Sequence, residues 1–392
     1  MARSRLVQVV AYDAMFDLAD ADVRSIDIAA GDTEAALFAD VIAAIPAAAR
    51  PPATSYDSGL DTYPYAFDDV AGGIKALSLI KNIAVSALAL VYTTGGGTFT
   101  TLNRQNRAIR TSAVTFTNDM TDLVVPPALS SVFNRVRITI HPKTVDASAT
   151  TVLYAQTGTA PSIAAGASLT IWGSYTDPSD RQVPIGGTAV VTPLVATTDY
   201  TGNAAADGSG ADRTADVSLV FTAFATVGKF VVTNIGATLL YLTKLQCRGK
   251  GVYDNAPQTY EASSIQTYGD LPLAIDMPYQ DDPDVAQGAA TYLEAQYHDL
   301  QNRVDRIEFV ASETATGITQ ALTREPGDRI TVTETVTGLA SVTATIQSVA
   351  IDVTPSGWVL CAFGLAPGAP WAFWQMGTVG ASEMGTTTVL GF

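Results

Sequence analysis

The sequence predicts a mainly β protein that has several domains and additional α+β elements. The chain has 392 residues, more than one hydrophobic core usually holds. Between residues 135 and 252, short alternating apolar runs are separated by clusters of Gly, Pro, Asp and Ser, which is typical of antiparallel strands joined by turns. Charged residues make up only 15% of the chain, below the roughly 25% that is usual for soluble domains. Thr, Ser and Val are plentiful instead, and Thr and Val favour strands.

These patterns divide the chain into five predicted parts. Residues 1–60 form an N-terminal strand, a helix and a linker, and residues 61–134 form a small α/β domain. Residues 135–255 form an inserted antiparallel β-sandwich. Residues 256–366 form a helix followed by a β-barrel or meander, and residues 367–392 form an aromatic tail.

The first part contains one predicted strand and one predicted helix. The strand covers Leu6–Tyr12, and the helix covers Thr33–Ile45. Asp32 is the predicted N-cap, because its carboxylate can accept hydrogen bonds from the free amides of the first turn. Pro46 ends the helix, since proline has no amide to donate.

The small α/β domain is predicted to begin with a helix that is capped by Asp68 or Asp69 and runs to about Val85. A hairpin follows, because a run of three glycines separates two strand-like segments. Its parts are the strand Ala84–Thr93, the turn Thr94–Gly97, the strand Thr98–Leu102 and the polar exit Asn103–Arg107.

The sandwich is predicted from strand-like segments that have turn residues and no helical pattern between them. These segments are Arg135–Ile140, Ser168–Trp172, Ala189–Val191, Val217–Phe224, Lys229–Thr233 and Leu239–Leu245.

The fourth part is predicted to begin with a helix that runs to about Asn302. Asp282 is its N-cap and Pro283 its first residue. The residues predicted for its buried face are Val285, Ala289, Leu293 and Tyr297. The strands predicted after the helix are Val304–Ala311, Gly327–Glu334, Thr343–Val353 and Trp358–Leu365.

The sequence contains few residues that suit catalysis. Its two histidines, His141 and His298, lie near no nucleophile motif, and no phosphate-binding loop or metalloprotease motif is present. Cys247 and Cys361 are far apart in sequence and are predicted to be buried structural thiols. We therefore predict no catalytic, cofactor-binding or metal-binding residue and a protein that is not an enzyme.

Acidic residues leave two alternatives open. Two carboxylates that face each other across a cleft can hydrolyse a glycoside. The candidate clusters are Asp276 with Asp281 and Asp282, and Asp177 with Asp180. Turn and cap roles explain the same residues more simply. The loop at residues 199–212 carries oxygen ligands that suit calcium but lacks the EF-hand pattern, so we favour a solvated loop and keep calcium as the alternative.

The composition also bears on partners. The formal net charge is −16 at pH 7, and an acidic surface repels a phosphate backbone, so no specific nucleic-acid binding is predicted. No stretch approaches the roughly 18 apolar residues that a membrane helix requires, so no membrane anchoring is predicted.

Two aromatic groups are candidates for contacts with other molecules. One group lies on the C-terminal tail and consists of Trp371, Phe373, Trp374 and Met376. An exposed strip of this kind is a liability on a monomer, so we predict that it docks on a neighbouring chain, with folding back on its own domain as the alternative. In the sandwich, Trp172 and Tyr175 are the candidates for stacking on a glycan.

Residues 260–365 resemble the C-terminal half of minor tail proteins of the hub type from long-tailed (siphovirus-like) bacteriophages and prophages. The resemblance depends on the order of several segments and on no single motif. These segments are Tyr268–Gln280, the helix from Pro283, the strand Val304–Ala311, Gly327–Thr333 and Gly364–Pro367. Residues 62–107 are similar to the small α/β domain of the same proteins.

This resemblance implies a structural protein of a baseplate hub, in which β-barrel domains form a ring at the end of the tail tube. It implies a homo-oligomer (a trimer or ring), contacts with other tail-tip and tail-tube proteins, and a place at the distal end of the virion tail after assembly in the host cytoplasm. The alternative is an adhesin that binds a carbohydrate or a host surface receptor through the sandwich at residues 135–255.

Overall fold

The structure, a computed structural model, describes residues 13–23, 25–70, 73–125, 132–264, 269–298 and 303–368, and two short strands at 372–373 and 388–389. The described part of the chain is mainly β, with 42% of the described residues in strands and 20% in helices, and it contains several sheets. This confirms the predicted fold class. The predicted strand Leu6–Tyr12 lies outside the described residues.

The described residues form six α-helices. They are α1 (Ala14–Asp20), α2 (Glu34–Ala44), α3 (Ala76–Ala87), α4 (Arg104–Ile109), α5 (Pro283–Tyr297) and α6 (Ala315–Thr323). The predicted start of α5 is confirmed, because the Asp282 side chain accepts a hydrogen bond from the amide of Asp284 and Pro283 is the first helical residue. The predicted cap of α2 was wrong: Thr33 is its N-cap, and Asp32 lies in a strand paired with Tyr63.

The first nine strands belong to the N-terminal half. They are β1 (Asp22–Val23), β2 (Asp32–Thr33), β3 (Ala53–Tyr56), β4 (Thr62–Tyr63), β5 (Ile74–Lys75), β6 (Leu90–Thr93), β7 (Thr98–Leu102), β8 (Ser112–Thr117) and β9 (Asp122–Val124). Strand β7 lies between β3, which is parallel to it, and β6, which is antiparallel. Helices α2 and α3 pack with this sheet around Leu37, Phe38, Ile83 and Phe99, all fully buried. We call residues 13–102 the N-terminal unit.

Two predictions for this region needed correction. Helix α3 begins at Ala76 instead of after Asp68 or Asp69, because Gly73 has a φ of +94°, which no helix accommodates. The helix also continues to Ala87 and ends with Leu88 in the left-handed conformation, so the strand β6 starts only at Leu90.

The predicted polar exit at residues 103–107 is the start of helix α4. The Asn103 side chain caps the helix by accepting a hydrogen bond from the amide of Asn106. Arg104 is buried because its guanidinium donates to both carboxylate oxygens of Asp61, at 2.6 and 2.8 Å. The charge of Arg104 predicts a polar, exposed segment, but the ion pair with Asp61 places the Arg104 side chain in the interior.

The next eleven strands form a stem and a sandwich. They are β10 (Arg135–Ile140), β11 (Lys143–Val145), β12 (Thr151–Ala155), β13 (Ser162–Ile163), β14 (Ser168–Ser174), β15 (Gly186–Thr188), β16 (Tyr200–Asn203), β17 (Val217–Ala223), β18 (Val227–Asn234), β19 (Leu240–Asp254) and β20 (Gln258–Ser263). The chain enters the sandwich along β10 and β11 and leaves along their antiparallel partners β20 and β19. Adjacent points of arrival and departure are what an inserted module requires.

The sandwich has two layers. Strand β19 hydrogen-bonds along its length with β11, β12, β13, β15 and β16, and the second layer has the order β14-β18-β17. Leu242 and Leu245 from β19 meet Phe230 and Val232 from β18 in one core. The predicted strand at 189–191 was wrong: β15 ends at Thr188, since Ala189 has a φ of +47°, outside the extended region.

The predicted first strand of the sandwich, β10, pairs instead with β20 and with β21 (Pro272–Met277). Helix α5 packs on this three-stranded sheet. Its buried face is shifted from the predicted one: Ala289 is buried as expected, while Val285, Leu293 and Tyr297 are only partly buried. The residues that α5 buries are Ala286, Ala289, Ala290, Tyr292 and Gln296. Alanines let the helix approach the sheet closely, whereas the prediction gave more weight to larger apolar side chains.

The remaining strands are β22 (Arg306–Val310), β23 (Arg329–Glu334), β24 (Leu339–Val353), β25 (Val359–Pro367), β26 (Ala372–Phe373) and β27 (Thr388–Val389). Six strands form the C-terminal sheet, in the order β8-β23-β24-β25-β22-β9. Strands β23, β24 and β25 form an antiparallel meander, and among the described residues no hydrogen-bonded pair joins β8 to β9. The core contains Phe116, Phe309 and Phe363. Helix α6 and strands β8 and β9 were not predicted.

Polar contacts join the N-terminal unit to the sandwich. Lys143 Nζ donates to Asp68 Oδ2 at 2.6 Å, and the two side chains are 9% and 4% exposed. Lys143 also pairs with Asp254 at the end of β19. Two hydrogen bonds of 2.9 Å lie nearby, from the Ala225 amide to the Ile26 carbonyl and from Thr226 Oγ1 to the Val70 carbonyl.

Replacing Lys143 by Met is expected to lower the free energy of unfolding by about 3–5 kcal/mol at neutral pH, because the buried Asp68 carboxylate loses its partner. Urea denaturation measures this change. Asp254→Asn is the matched control, since the Asp254 side chain is 71% exposed, and it is expected to cost less than about 1 kcal/mol. Equal losses in the two variants would contradict the role of the buried pair.

The pH dependence of stability should also reflect Asp68. The pKa of Asp68 is raised from 3.8 to about 6, because the effects of burial, the largest, and of Asp254 and Asp69, which all raise it, outweigh that of Lys143, which lowers it. The folded chain therefore keeps this proton to a higher pH than the unfolded chain. The contribution of this proton to the free energy of unfolding is fully present below about pH 4 and is lost as the pH rises through about 6.

Between about pH 4 and pH 6, the free energy of unfolding of the wild-type protein is expected to fall by about 3 kcal/mol relative to that of Asp68→Asn. Urea denaturation of both proteins at pH steps tests this, and a difference that stays constant with pH would contradict it.

Candidate functional site

The two histidines lie in structural contacts. His141 Nε2 is 2.6 Å from Asp276 Oδ1, at the edge of the sheet formed by β10 and β21. His298 caps the end of α5, and its Nδ1 is 3.2 Å from the carbonyl oxygen of Glu294. Neither contact aligns a histidine with a nucleophile.

The acidic clusters singled out from the sequence also have local partners. Asp177 Oδ1 accepts hydrogen bonds from the amide and the hydroxyl of Ser179, at 2.7 and 2.6 Å, and these bonds lower the pKa of Asp177. Asp180 accepts from the Gln182 amide at 3.0 Å. These are turn contacts of the kind that short acidic side chains commonly make.

The loop at residues 199–212 uses its carboxylates internally. Asp199 is fully buried and accepts hydrogen bonds from Arg248 at 2.7 and 3.0 Å. Burial raises the pKa of Asp199, but the bonds from Arg248 and Val195 outweigh that effect and lower it. Asp207 binds Ser209, and in the described part of the chain no group of three or more His, Cys, Asp or Glu side chains is arranged to hold a metal ion.

Both cysteines are buried and unpaired, as predicted. Cys247 lies in the sandwich core and Cys361 in the core of the C-terminal sheet. Burial raises the pKa of the Cys247 thiol to about 12 and that of the Cys361 thiol to about 11. Thiols of this kind stay protonated at neutral pH and are poor nucleophiles.

The outer face of the sandwich carries an exposed aromatic cluster, which we call the Trp172 patch (Trp172, Phe224 and Lys229). Trp172 is 55% exposed, and its ring is stacked on Phe224 at 6.0 Å between centroids with an interplanar angle of 20°. Lys229 Nζ lies 5.5 Å from the centroid of the Trp172 ring. The Trp172 ring is therefore held by Phe224 and Lys229 while about half of its surface stays exposed to solvent.

The other predicted glycan contact, Tyr175, cannot take part in such stacking, because it is fully buried. It follows β14 and packs inside the sandwich against β15, where a Cβ on Gly187 would lie only 2.6 Å from the Tyr175 ring. Burial also raises the pKa of Tyr175. The sequence interpretation gave both aromatic residues the same role, but Trp172 and Tyr175 are three positions apart, so the alternation of the strand places them on opposite faces.

A second exposed apolar group lies where β24 and β25 meet, and we call it the hairpin end (Ile351, Val353 and Trp358). These side chains are 45%, 64% and 47% exposed. Ile351 is paired with the buried Cys361, so the core-facing side of the hairpin continues beyond the core that it covers. Residues 354–357 close the turn, with the Thr354 amide donating to the Trp358 carbonyl at 2.9 Å.

The sequence interpretation missed the hairpin end. The available signal was Ile351 and Val353 in alternation, followed by a Pro-Ser-Gly turn and a tryptophan. The predicted interface residues Trp371, Trp374 and Met376 lie outside the described residues. Phe373 belongs to β26, which pairs with β27 in parallel and lies beside α4 of the same chain.

No described helix combines the length and the apolar character needed to cross a membrane. No protein-family model matches the sequence, and no curated protein is similar to it.

Solved structures that are similar to this fold include two tail proteins. A tail protein from Neisseria meningitidis MC58 has 9% sequence identity and a TM-score of 0.46, over 89% of this chain and 71% of that chain. The 43 kDa tail protein of prophage MuSo2 from Shewanella oneidensis has 10% identity and a TM-score of 0.43, over 91% of this chain and 72% of that chain. Both are described as tail proteins and neither as a hub.

Proposed function

We propose that this protein is a structural component of a phage tail, acting at the tail tip as a hub or minor tail protein, and that it assembles through the hairpin end. The observation that carries the assembly part of this proposal is that Ile351 and Val353 stay exposed on the core-facing side of the β24–β25 hairpin, with Trp358 exposed at its turn. The tail role itself comes from the sequence resemblance of residues 260–365. Isolated apolar residues on a surface are ordinary, but a group of them marks a contact site.

The position of the hairpin end supports a contact with protein. Val353 is paired with Val359, so adjacent strands present β-branched side chains on the same face as the core. A neighbouring chain that covers this face extends an existing core, and each large apolar side chain that becomes buried contributes about 1.5–3 kcal/mol.

The segments that carry the sequence resemblance have structural roles that fit a scaffold. Gln280 Oε1 accepts from the amides of Asp281 and Asp282 at 3.1 and 3.0 Å and so fixes the start of α5. Asp328 accepts from Arg110 at 3.0 Å, which ties the C-terminal sheet to the segment after α4. A Cβ on Gly327 would lie 2.4 Å from Leu102, so this close approach requires glycine.

We also propose that the role is not catalytic. The histidines and, apart from Asp281, the carboxylates singled out from the sequence are engaged in caps, turns and ion pairs. A homo-oligomer, contacts with other tail proteins and a position at the distal end of the virion are part of the same proposal.

An adhesin is the second candidate, and the Trp172 patch favours it. A tryptophan ring that stacks on Phe224 and stays 55% exposed suits stacking on the apolar face of a sugar. Trp358 at the hairpin end and Trp172 in the sandwich are both exposed. Replacing one or the other therefore tests the two proposed functions separately.

The double variant Val353→Ser and Trp358→Ser is expected to weaken assembly about 100-fold, because two large apolar side chains lose their buried contacts. Mass photometry of the full chain measures this, alone and mixed with the products of its tail-gene neighbourhood. The wild-type protein should form a closed oligomer or join a partner.

Trp172→Ser is the matched control for assembly, because it removes an equally exposed tryptophan from a different surface. It should assemble like the wild type. A wild-type protein that stays monomeric and joins no tail protein would rule out the scaffold, as would unchanged assembly of the double variant.

If the protein is instead an adhesin, Trp172→Ser should abolish binding on a glycan array, because the sugar loses the aromatic ring on which it stacks. The variant with serines at positions 353 and 358 should then bind as the wild type does. Absence of wild-type binding to any glycan would remove the support for this candidate.

A further inference from the structure

Two cavities meet at Arg107, where the helices α3, α4 and α5 come together. The larger has a volume of about 370 Å³ and is lined by α3, α4, β21 and α5. The smaller, of about 220 Å³, lies between α4, α5 and the strands β24 and β25. Arg107, Tyr292 and Leu293 line both cavities. Neither cavity shares a lining residue with the Trp172 patch or the hairpin end.

The Arg107 guanidinium makes no hydrogen bond or ion pair with the described residues. Every other arginine that the structure describes donates to a carboxylate or a carbonyl oxygen. The Arg107 side chain is partly exposed, and its nitrogen atoms are not among the closed-off polar atoms of the described residues. The guanidinium is therefore accessible from the two cavities that it lines.

No described carboxylate balances the charge of Arg107. Burial lowers the pKa of Arg107, and the groups that act against this effect are Tyr292 and Tyr297. Burial raises the pKa of both tyrosines above the ordinary value of 10.0, so they are neutral at pH 7 and supply no negative charge. A cation that is drawn away from water without a counter-charge is costly, and an anion that binds to it recovers part of that cost.

The larger cavity is a positive site on a chain whose formal net charge is −16. Its described lining contains Lys81, Arg104 and Arg107 and no Asp or Glu. Arg104 is already paired with Asp61, whereas Lys81 is exposed and pairs with no described carboxylate. Two cations thus remain available to one anion. The negative charge elsewhere on the chain disfavours a dianion, so a ligand with a single negative charge fits better.

The rest of the wall of the larger cavity is mostly apolar and includes Ala84, Val85, Ala89, Ile275 and Leu293. Val85 is 40% exposed at its open side, and Ile275 and Leu293 are partly buried. Apolar walls with a few polar groups are typical of sites that bind amphipathic molecules. A planar guanidinium matches a carboxylate in particular, because it can donate two parallel hydrogen bonds to the two oxygens.

We propose that Arg107 binds the carboxylate of an aliphatic acid where the two cavities meet, while the alkyl stem of the acid lies against Ile275 and Leu293 in the larger cavity. The carboxylate belongs either to a free acid or to an Asp or Glu side chain of another chain, which present the same chemistry. The site does not depend on the assembly role proposed above.

Isothermal titration of the full-length protein with hexanoate at pH 7.5 and low salt tests the proposal. Hexanoate should bind saturably, whereas 1-hexanol and hexylamine, which carry a similar stem without a negative charge, should not. Acetate, which lacks most of the stem, should bind more weakly. N-acetyl-glutamate methylamide distinguishes the sources: tighter binding of this compound than of hexanoate indicates a protein side chain, and the reverse order indicates a free acid.

Arg107→Gln should weaken hexanoate binding about 10- to 100-fold, the usual effect of losing a charge-assisted hydrogen bond. The variant should fold, because Arg107 makes no hydrogen bond with the described residues, and a melting temperature no lower than that of the wild type checks this. Val85→Trp, which obstructs the open side of the larger cavity and leaves Arg107 in place, should abolish binding independently.

Lys244→Gln is the matched control, because it also removes one positive charge, from strand β19 of the sandwich, where Lys244 forms no ion pair with a described residue. It should bind hexanoate as the wild type does. The proposal is overturned if the wild-type protein does not bind hexanoate, if hexanol, hexylamine or acetate binds equally well, or if Arg107→Gln and Lys244→Gln behave alike.

Discussion

The buried ion pair between Lys143 and Asp68 is the contact on which the arrangement of the N-terminal unit, the stem and the sandwich depends. Lys143 begins β11, directly after the stem strand β10, and its partner lies in a turn of the N-terminal unit. A charge buried without its partner is costly, so an arrangement that keeps Asp68 buried while Lys143 lies elsewhere is disfavoured at neutral pH. The nearby hydrogen bonds from Ala225 and Thr226 act at the same joint and restrict the sandwich further.

Strand β19 connects β11, which contains Lys143, to the other strands of the first layer of the sandwich. It is 15 residues long, and five strands of the first layer are hydrogen-bonded to it. Its side chains in the sandwich core are Leu240, Leu242, Leu245 and Cys247. Because β19 also leads into β20 of the stem, the sandwich is continuous with the sheet on which α5 packs. The layer that contains Trp172, β14-β18-β17, packs on the layer that contains β19.

The two candidate contact surfaces differ in chemistry. The hairpin end extends the core face of a sheet and suits burial against another protein surface. The Trp172 patch offers one exposed ring and suits stacking. The two surfaces lie on different sheets, so they can make separate contacts.

The sequence by itself determined the local features of this protein. Asp282 and Pro283 fixed the start of α5, because capping depends on the first turn alone. Alternation identified four of the nine described strands of the sandwich and four of the six described strands of the C-terminal sheet. The tertiary structure decided which side chains are covered: it buried Tyr175 and Arg104, left the hairpin end exposed and placed Asp68 opposite Lys143. These outcomes depend on partners that are tens to hundreds of residues away in sequence. A local pattern records the preferred backbone conformation and the apolar face, but only long-range pairing decides what covers that face.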